Sequence, residues 1–542
     1  MGGGRRGLRR IAGLAAFAAL GSVALVKPAQ AQPGPITLTP THGPVGASVT
    51  IAGTGLSTAS NVSFGSVTTS FTVDSDEQVT AVVPPGAATD VVHVDAADGS
   101  AASDTPFVVQ PNIVVILTDD QRWDTLPVMP TVESELVEHG VTFTNAFVEN
   151  PLCCPSRASF LTGKGSHTTG VFTNDDPYGG FAHFDDSATL ATWLDDAGYD
   201  TFLTGKYLNQ YWDTGGLYEP PGWDRWRAFA STGPYYDYDV SLDGTAIESH
   251  GSDPSDYSTD VIAGYADDMI RTASAQDPLF LWVAPYAPHN PSIPAPRDAG
   301  TMAGIAPWRP PSYDEADVRD KPAYIRALPR LSADEQTQID GVRQRQLETL
   351  GAVDDAVATL VSALADTGRL GDTLFVYTSD NGYLWGEHRR DGKLVPYEES
   401  IRVPFVIRWD RLGGVPRTEN RLVENIDLAP TLVQAASAHA TGFDGRTLMP
   451  LLTGQAVKWR QHLLIEHVLV GGVPSYCADR TPNDILVHYA TGEEEYYRLG
   501  SHADLYQRTN KIAAPKFQAR IASLRDKLRT MCTPLPPELP AF

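Results

Sequence analysis

Three uninterrupted apolar runs constrain this chain most: Asn112–Leu117 (NIVVIL), Leu279–Ala284 (LFLWVA) and Leu374–Thr378 (LFVYT). A run without polar alternation suits a strand covered on both faces, as in a parallel sheet flanked by helices. Helical patterns lie between the runs. Ser187 is placed to cap a helix carrying Leu190, Trp193 and Leu194 and stopping at Gly198, and Thr201–Thr204 reads as the next strand. Gly351–Leu364 reads as an apolar-periodic helix ahead of LFVYT. This order predicts an α/β domain over residues 110–455 with a large, mainly parallel sheet. Beyond it, TGEEEYYRL reads as hairpin structure and Phe517–Thr530 as a basic amphipathic helix. Residues 456–542 are therefore expected to form a smaller C-terminal α+β subdomain.

The amino-terminal part differs in texture. Arg5, Arg6, Arg9 and Arg10 precede an apolar stretch, Ile11–Val26, and Ala29-Gln30-Ala31 forms a cleavage pattern. Residues 1–31 read as an export signal, and the product is expected outside the cytoplasm, secreted or in the cell envelope or periplasm. No second stretch is long enough to span a bilayer. Residues 35–109 carry neither lysine nor arginine and read as short strands: Ser48–Ile51, Asn61–Phe64, Ser70–Val73, Gln78–Val83 and Asp90–Val94. Turn clusters such as Gly43-Pro44-Val45-Gly46 separate them, which predicts a small all-β, immunoglobulin-like sandwich. Four cysteines are present. Cys153 and Cys154 are neighbours, and a bridge between neighbours is strained, so Cys477 and Cys532 are the expected pair in an oxidising compartment.

The formal net charge of −25 argues against nucleic acid or an anionic membrane surface as partner. An anionic substrate would need positive charge gathered locally. Four groups lie at or just after the predicted strand ends, where open α/β sheets place their crevice. Asp119 and Asp120 follow NIVVIL, and Asp380 and Asn381 follow LFVYT. Together they form an oxygen-only donor set for one hard divalent cation, Ca²⁺ favoured over Mg²⁺. The third group is Cys153-Cys154-Pro155-Ser156-Arg157 with Leu161-Thr162-Gly163. Pro155 suits the first turn of a helix, whose N-terminus favours anions. The fourth comprises Thr204-Gly205-Lys206-Tyr207, Pro288-His289-Asn290-Pro291 and the run GYLWGEHRRDGKLVPYEESIRVPF.

The third string resembles the C-x-P-S-R…L-T-G signature of the sulfatase family, within the alkaline phosphatase superfamily. The fourth group matches sulfatase patterns in order, and the resemblance spans roughly residues 111–542. CCPSR with GKYLN and PYEESIRVPF looks most similar to the N-acetylglucosamine-6-sulfatase and extracellular heparan-sulfate sulfatase branch. GPVGASVTIAGTGL, NVSFG and VTAVVPPGA resemble the IPT/TIG module, which implies a fold and not a chemistry. The module reads as a spacer or stabilising unit, with glycan or surface binding as the alternative.

The family resemblance implies that Cys153 is oxidised to formylglycine by a dedicated installing enzyme. One hydroxyl of the hydrated aldehyde attacks sulfur and the other expels sulfate. Asp119, Asp120, Asp380, Asn381 and the modified Cys153 would hold the cation, which lowers the pKa of the attacking hydroxyl. Arg157 would hold that hydroxyl or a sulfate oxygen. Lys206 and Lys393 would stabilise the sulfuryl group, with Lys393 on the leaving oxygen, and His289 would donate to the ester oxygen. His388 is a further catalytic candidate, and Asn209 and Glu398 are substrate candidates. Leu208 and Leu384 stand where many family members carry histidine, and the loop bearing Leu384 and Trp385 is expected to line the substrate side. The substrate class implied is a sulfate ester, small-molecule or glycan. The alternatives are a phosphonate or phosphate ester hydrolase of the same superfamily and a non-catalytic secreted binding protein.

Overall fold

A computed structural model describes Met1 and residues 32–231, 235–500 and 504–540. The basic and apolar stretch read as an export signal lies outside the described residues. No helix among the described residues is long and apolar enough to cross a membrane.

The central sheet has eight strands, in the order Arg225–Ala228, Asp200–Gly205, Leu279–Ala284, Asn112–Thr118, Thr373–Ser379, Phe405–Trp409, Gly140–Phe143 and Arg417–Glu419. Neighbours run parallel, except that Phe405–Trp409 runs against both of its neighbours. The three apolar runs are central or nearly so and are buried along their whole length. Along Asn112–Thr118 the side chains alternate between two cores. Ile113, Val115 and Leu117 enter one, and Val114 and Ile116 enter the other. Both faces are thus dry, which is why the run needs no polar positions.

Two helices differ from their sequence expectation. The helix before Thr373–Ser379 spans Ala333–Asp366. Its first half is polar almost all round, so apolar periodicity does not reveal it. A capping box starts it: Ser332 Oγ accepts from Glu335 N at 3.2 Å, and Glu335 Oε2 accepts from Ser332 N at 2.7 Å. The Leu190–Asp195 helix is capped by Thr189 with Thr192, not by Ser187, whose hydroxyl donates to Asp185 at 2.6 Å.

Two four-stranded antiparallel sheets enclose one apolar core in the amino-terminal module. The expected strand Asp90–Val94 lies at Val92–Ala96, and Thr37–Thr39, Val67–Thr69 and Gly99–Ala102 are additional. These extra strands are edges of three or four residues, with one large apolar residue at most, too short for alternation to mark them in sequence.

The C-terminal unit is a four-stranded antiparallel sheet, Leu463–His467, Tyr476–Arg480, Asp484–Tyr489 and Glu494–Arg498, packed against the helix Gln518–Met531. A disulfide joins Cys477 on that sheet to Cys532 at the helix end, closing a loop of 55 residues. A loop of that size restricts the unfolded chain by about 4 kcal/mol in the chain-entropy model. Cys477→Ser/Cys532→Ser is expected to lose roughly 2–4 kcal/mol in denaturant titration, and reductant should then leave its midpoint unmoved while lowering that of the wild type.

Candidate active site

The pairing of two parallel strands builds the site. Thr118 lies opposite Ser379, so Asp119 and Asp120 emerge beside Asp380 and Asn381. The join is fixed by Asp380 N donating to Thr118 O at 3.0 Å and Asp120 N donating to Asp380 Oδ1 at 3.1 Å. Asp120 has a φ of 68°, a left-handed bend that an aspartate tolerates and that turns its carboxylate back into the cluster. The next strands outward on this side of the sheet deliver Lys206 and His289 to the same edge. Gly205 is needed before Lys206: its φ is 102°, and a Cβ there would lie 2.2 Å from Ala284 O.

Cys153 opens the buried helix Cys153–Thr162, and Pro155 lies in its first turn. Its Sγ accepts from Lys393 Nζ at 2.8 Å and lies 3.4 Å from Asp119 Oδ1. Burial first, then the Asp119 charge, pushes the Cys153 thiol up to about 12, so an unmodified thiol here stays protonated at neutral pH. One turn along, Arg157 Nε donates to Asp380 Oδ2 at 2.8 Å and Nη1 donates to Lys206 O at 3.0 Å. Arg157 Nη2 is 3.6 Å from Asp119 Oδ2 and is buried without a hydrogen-bond partner. It is the one nitrogen of this guanidinium without a hydrogen-bond partner, open to a further oxygen.

Lys206 Nζ bonds Asp119 and Lys393 Nζ bonds Asp120. Burial alone would raise the Asp119 pKa, but Lys206, His289, Arg157 and Lys393 together hold it well below the usual carboxylate range. Burial and the neighbouring Asp119 push Asp380 upward against the pull of Arg157. His289 is half-buried, with Nε2 3.7 Å from Asp120 Oδ2 and Nδ1 2.6 Å from Asn290 O.

The donor set fits a hard cation. Atoms of Asp119, Asp120, Cys153 and His289 lie within 4.8 Å of one another. Asn381 Nδ2 donates to Asp120 Oδ1 at 2.6 Å and to Gly382 O at 2.9 Å, which orients the amide. Its Oδ1 is then buried with no partner. A cation beside the three carboxylates would satisfy that oxygen.

Other expected residues lie elsewhere. His388 is fully buried, bonds Glu315 at 3.0 Å and stacks on Tyr397 with ring centroids 4.0 Å apart. Burial, reinforced by Lys321, lowers its pKa to about 3. Left-handed residues at His388 and Arg389 turn the chain, and the short hairpin Leu384–Trp385/Asp391–Gly392 returns Lys393 to the acids instead. Glu398 receives Arg480 Nε at 2.7 Å, so it is engaged in an ion pair with the C-terminal sheet. Leu384 and Trp385 are buried, with Trp385 donating to Gln346 at 2.5 Å, so they form core and not the wall expected of them.

A cavity of about 330 Å³ opens beside the cluster, lined in part by Lys206, His289 and Asn209 together with Trp212, Phe229 and Tyr286. The three aromatic residues had no sequence signal of their own, although Tyr286 stands just before Pro288-His289.

Behind the Cys153–Thr162 helix lies a buried polar layer. Glu149 Oε1 accepts from Ser159 at 2.5 Å and Ser166 at 2.9 Å, while Oε2 has no partner. His167 Nδ1 is 2.6 Å from Glu466 Oε1. Burial, then the nearby Glu466, raises the Glu149 pKa to about 8. His167 is raised to about 9 by Glu466, against its own burial, so it stays charged.

The strand ends of this α/β sheet hold a buried carboxylate cluster beside a helix-borne cysteine. The sulfatase family model matches residues 111–438, and the chain belongs to that family. A model described as N-sulphoglucosamine sulphohydrolase, C-terminal, matches residues 386–533, and the IPT/TIG model matches residues 36–128. An extracellular sulfatase SULF-1 homolog of Drosophila melanogaster is 36% identical over 373 residues, 66% of this chain and 33% of that protein. The chain thus spans about a third of that relative's length. The N-acetylglucosamine-6-sulfatase of Homo sapiens is 35% identical over 374 residues, 66% of this chain and 67% of that protein. A solved structure described as a complex with its substrate D-glucosamine-2-N,6-O-disulfate superposes with a TM-score of 0.68 at 24% identity, over 78% of this chain and 97% of that one.

Glu149 gives a pH test of the layer behind the helix. Its proton is held more tightly when folded, so folding loses stability as pH rises from about 4.5 toward about 8. Glu149→Gln removes that penalty. The variant's advantage over wild type should be near zero at about pH 4.5 and grow to about 2–4 kcal/mol by about pH 8, read by chemical denaturation.

Proposed function

We propose that this chain is an exported sulfatase that hydrolyses a sulfate ester on a sugar. It would use formylglycine at Cys153 and one divalent cation, with calcium favoured over magnesium. The observation that carries the reading is Cys153 at the first turn of a buried helix, its Sγ touching Lys393 within a cage of Asp119, Asp120, Asp380 and Asn381. The sugar substrate is supported by the name of the human relative, N-acetylglucosamine-6-sulfatase. Export is supported by the amino-terminal signal pattern and by relatives named extracellular sulfatases.

The Cys153 sulfur marks where the reacting oxygen of the modified residue stands. A formylglycine there supplies a geminal diol, and a bound cation acidifies the attacking hydroxyl and polarises the sulfate oxygens. The chain's own residues supply the rest. Asp119, Asp120, Asp380 and Asn381 would hold the cation. Lys393 reaches the reacting atom and is placed to hold it as an oxyanion. The unpartnered Arg157 Nη2 offers a donor to a further oxygen of the same group. Lys206 adds positive charge on the cavity side, and His289 lines the cavity where the ester oxygen would leave. Fixed donors aimed at developing negative charge in a dry site lower the barrier without reorganising.

Cys153→Ser has only one hydroxyl and is expected to stop after a single turnover, with sulfate left on the serine. Sustained wild-type release by that variant would refute the geminal-diol step. Lys393→Ala should lower kcat by about 10²–10³, the range for losing one fixed donor, in an assay of 4-nitrophenyl sulfate. The same assay with phosphate and phenylphosphonate esters separates sulfatase from phosphohydrolase. Chelation should abolish release, and calcium should restore it better than magnesium.

A further inference from the structure

We infer that the cavity beside the cage selects a leaving group that carries a hydrogen-bond donor and no second anionic group. This rests on the sulfatase reading and goes beyond it, because it concerns what the cavity excludes. Among the described residues lining it, Lys206 and His289 are the basic ones. Both are committed to the cage, Lys206 on Asp119 and His289 beside Asp120 with its other nitrogen on Asn290 O. No lining cation is left over for a second sulfate or a carboxylate.

The rest of the wall is apolar or neutral. Trp212, Phe229 and Tyr286 supply aromatic surface, which suits the C–H face of a sugar. An unpaired anion brought against such a wall loses hydration without compensation. The chain's net charge of −25 adds long-range repulsion to any polyanion approaching the mouth. The donor requirement comes from Asn209. Its Oδ1 is buried without a partner, and the residue lines the same cavity. A hydroxyl or amide N–H on the leaving group satisfies it. An aryl ester has no such donor.

The test uses the full chain with the oxidised mass confirmed on the Cys153 peptide. Sulfate release is compared for N-acetylglucosamine-6-sulfate, glucosamine-2-N,6-O-disulfate and 4-nitrophenyl sulfate. The expected result is a kcat/KM for the monosulfated sugar at least about tenfold above that for the disulfate, equivalent to about 1.4 kcal/mol. Asn209→Ala should lower kcat/KM for the monosulfated sugar several-fold more than for the aryl ester, mainly through KM. Ser231→Arg, at another position of the wall, should narrow the gap between the two sugars by supplying the missing cation. Equal or faster turnover of the disulfate overturns the proposal. So does an equal loss on sugar and aryl ester in Asn209→Ala. Release from the aryl ester with a reversed sugar ranking leaves the sulfatase reading standing and sinks only the selectivity. No release from any ester by the oxidised protein overturns both.

Discussion

The register of two adjacent parallel strands governs this molecule. Because Thr118 lies opposite Ser379, Asp119, Asp120 and Asp380 are forced into one buried cluster. Two carboxylates about 4 Å apart repel by about 4 kcal/mol even at an effective dielectric near 20. The fold offsets this locally. Arg157, Lys206 and Lys393 come from a helix, a neighbouring strand end and a hairpin, and each lands on one of the three acids. Losing any one cation would leave a buried acid uncompensated. The same balance explains how a strongly acidic chain offers positive charge to an anion. Its useful cations are inside, held in place by the acids they neutralise.

The helix carrying Cys153 needs equal control, since its first residue must meet Lys393 within hydrogen-bond reach. All ten of its residues are buried, so packing fixes it from every side. Toward the sheet, Arg157 ties it to Asp380 and to the Lys206 carbonyl. Toward the C-terminal unit, Ser159 is tied to Glu149, and Glu466 on the far sheet holds His167 just beyond the helix. Asn425 Nδ2 donates to Ser156 Oγ at 3.1 Å, and its Oδ1 accepts from Glu149 N at the same distance. The C-terminal unit is therefore a structural support of the helix that bears Cys153 and not an appendage.

Legibility in the sequence followed burial. NIVVIL, LFLWVA and LFVYT were readable because strands dry on both faces leave no polar positions, and their carboxyl ends pointed to Asp119, Asp120, Asp380, Asn381 and His289. Cys153 and Arg157 are legible through the C-x-P-S-R resemblance, and in the structure one helical turn puts both on one face. Elements with mixed exposure were not. The first half of the Ala333–Asp366 helix has no apolar stripe, and the edge strands of the amino-terminal module are too short for alternation to mark them. Distance along the chain from Asn381 brings His388 within reach of the site. Two left-handed residues reverse that segment, a turn that neither residue announces by type, and His388 goes to Glu315. The aromatic wall of the cavity comes from separate segments and had no joint signature.

The position of the amino-terminal module limits what it can do. Its contacts fall at the opposite edge of the same central strands. Asp372, just before the strand Thr373–Ser379, accepts from Val45 N at 3.3 Å and pairs with Arg411. Ser48 N donates to Gln276 at 2.8 Å, and Arg411 Nη1 donates to Val109 O at 3.3 Å. Those strands rise about 3.3 Å per residue, so seven residues separate this junction from the acids by roughly 20 Å. The module therefore contributes no side chain to the cage. Its junction instead holds the beginnings of the two strands whose register sets the cluster, since Asn112 pairs with Thr373. Asp372 is buried there, and desolvation raises its pKa to about 6 against the pull of Arg411. A carboxylate kept in such a place by one arginine and one module N–H makes docking and strand alignment parts of one structure.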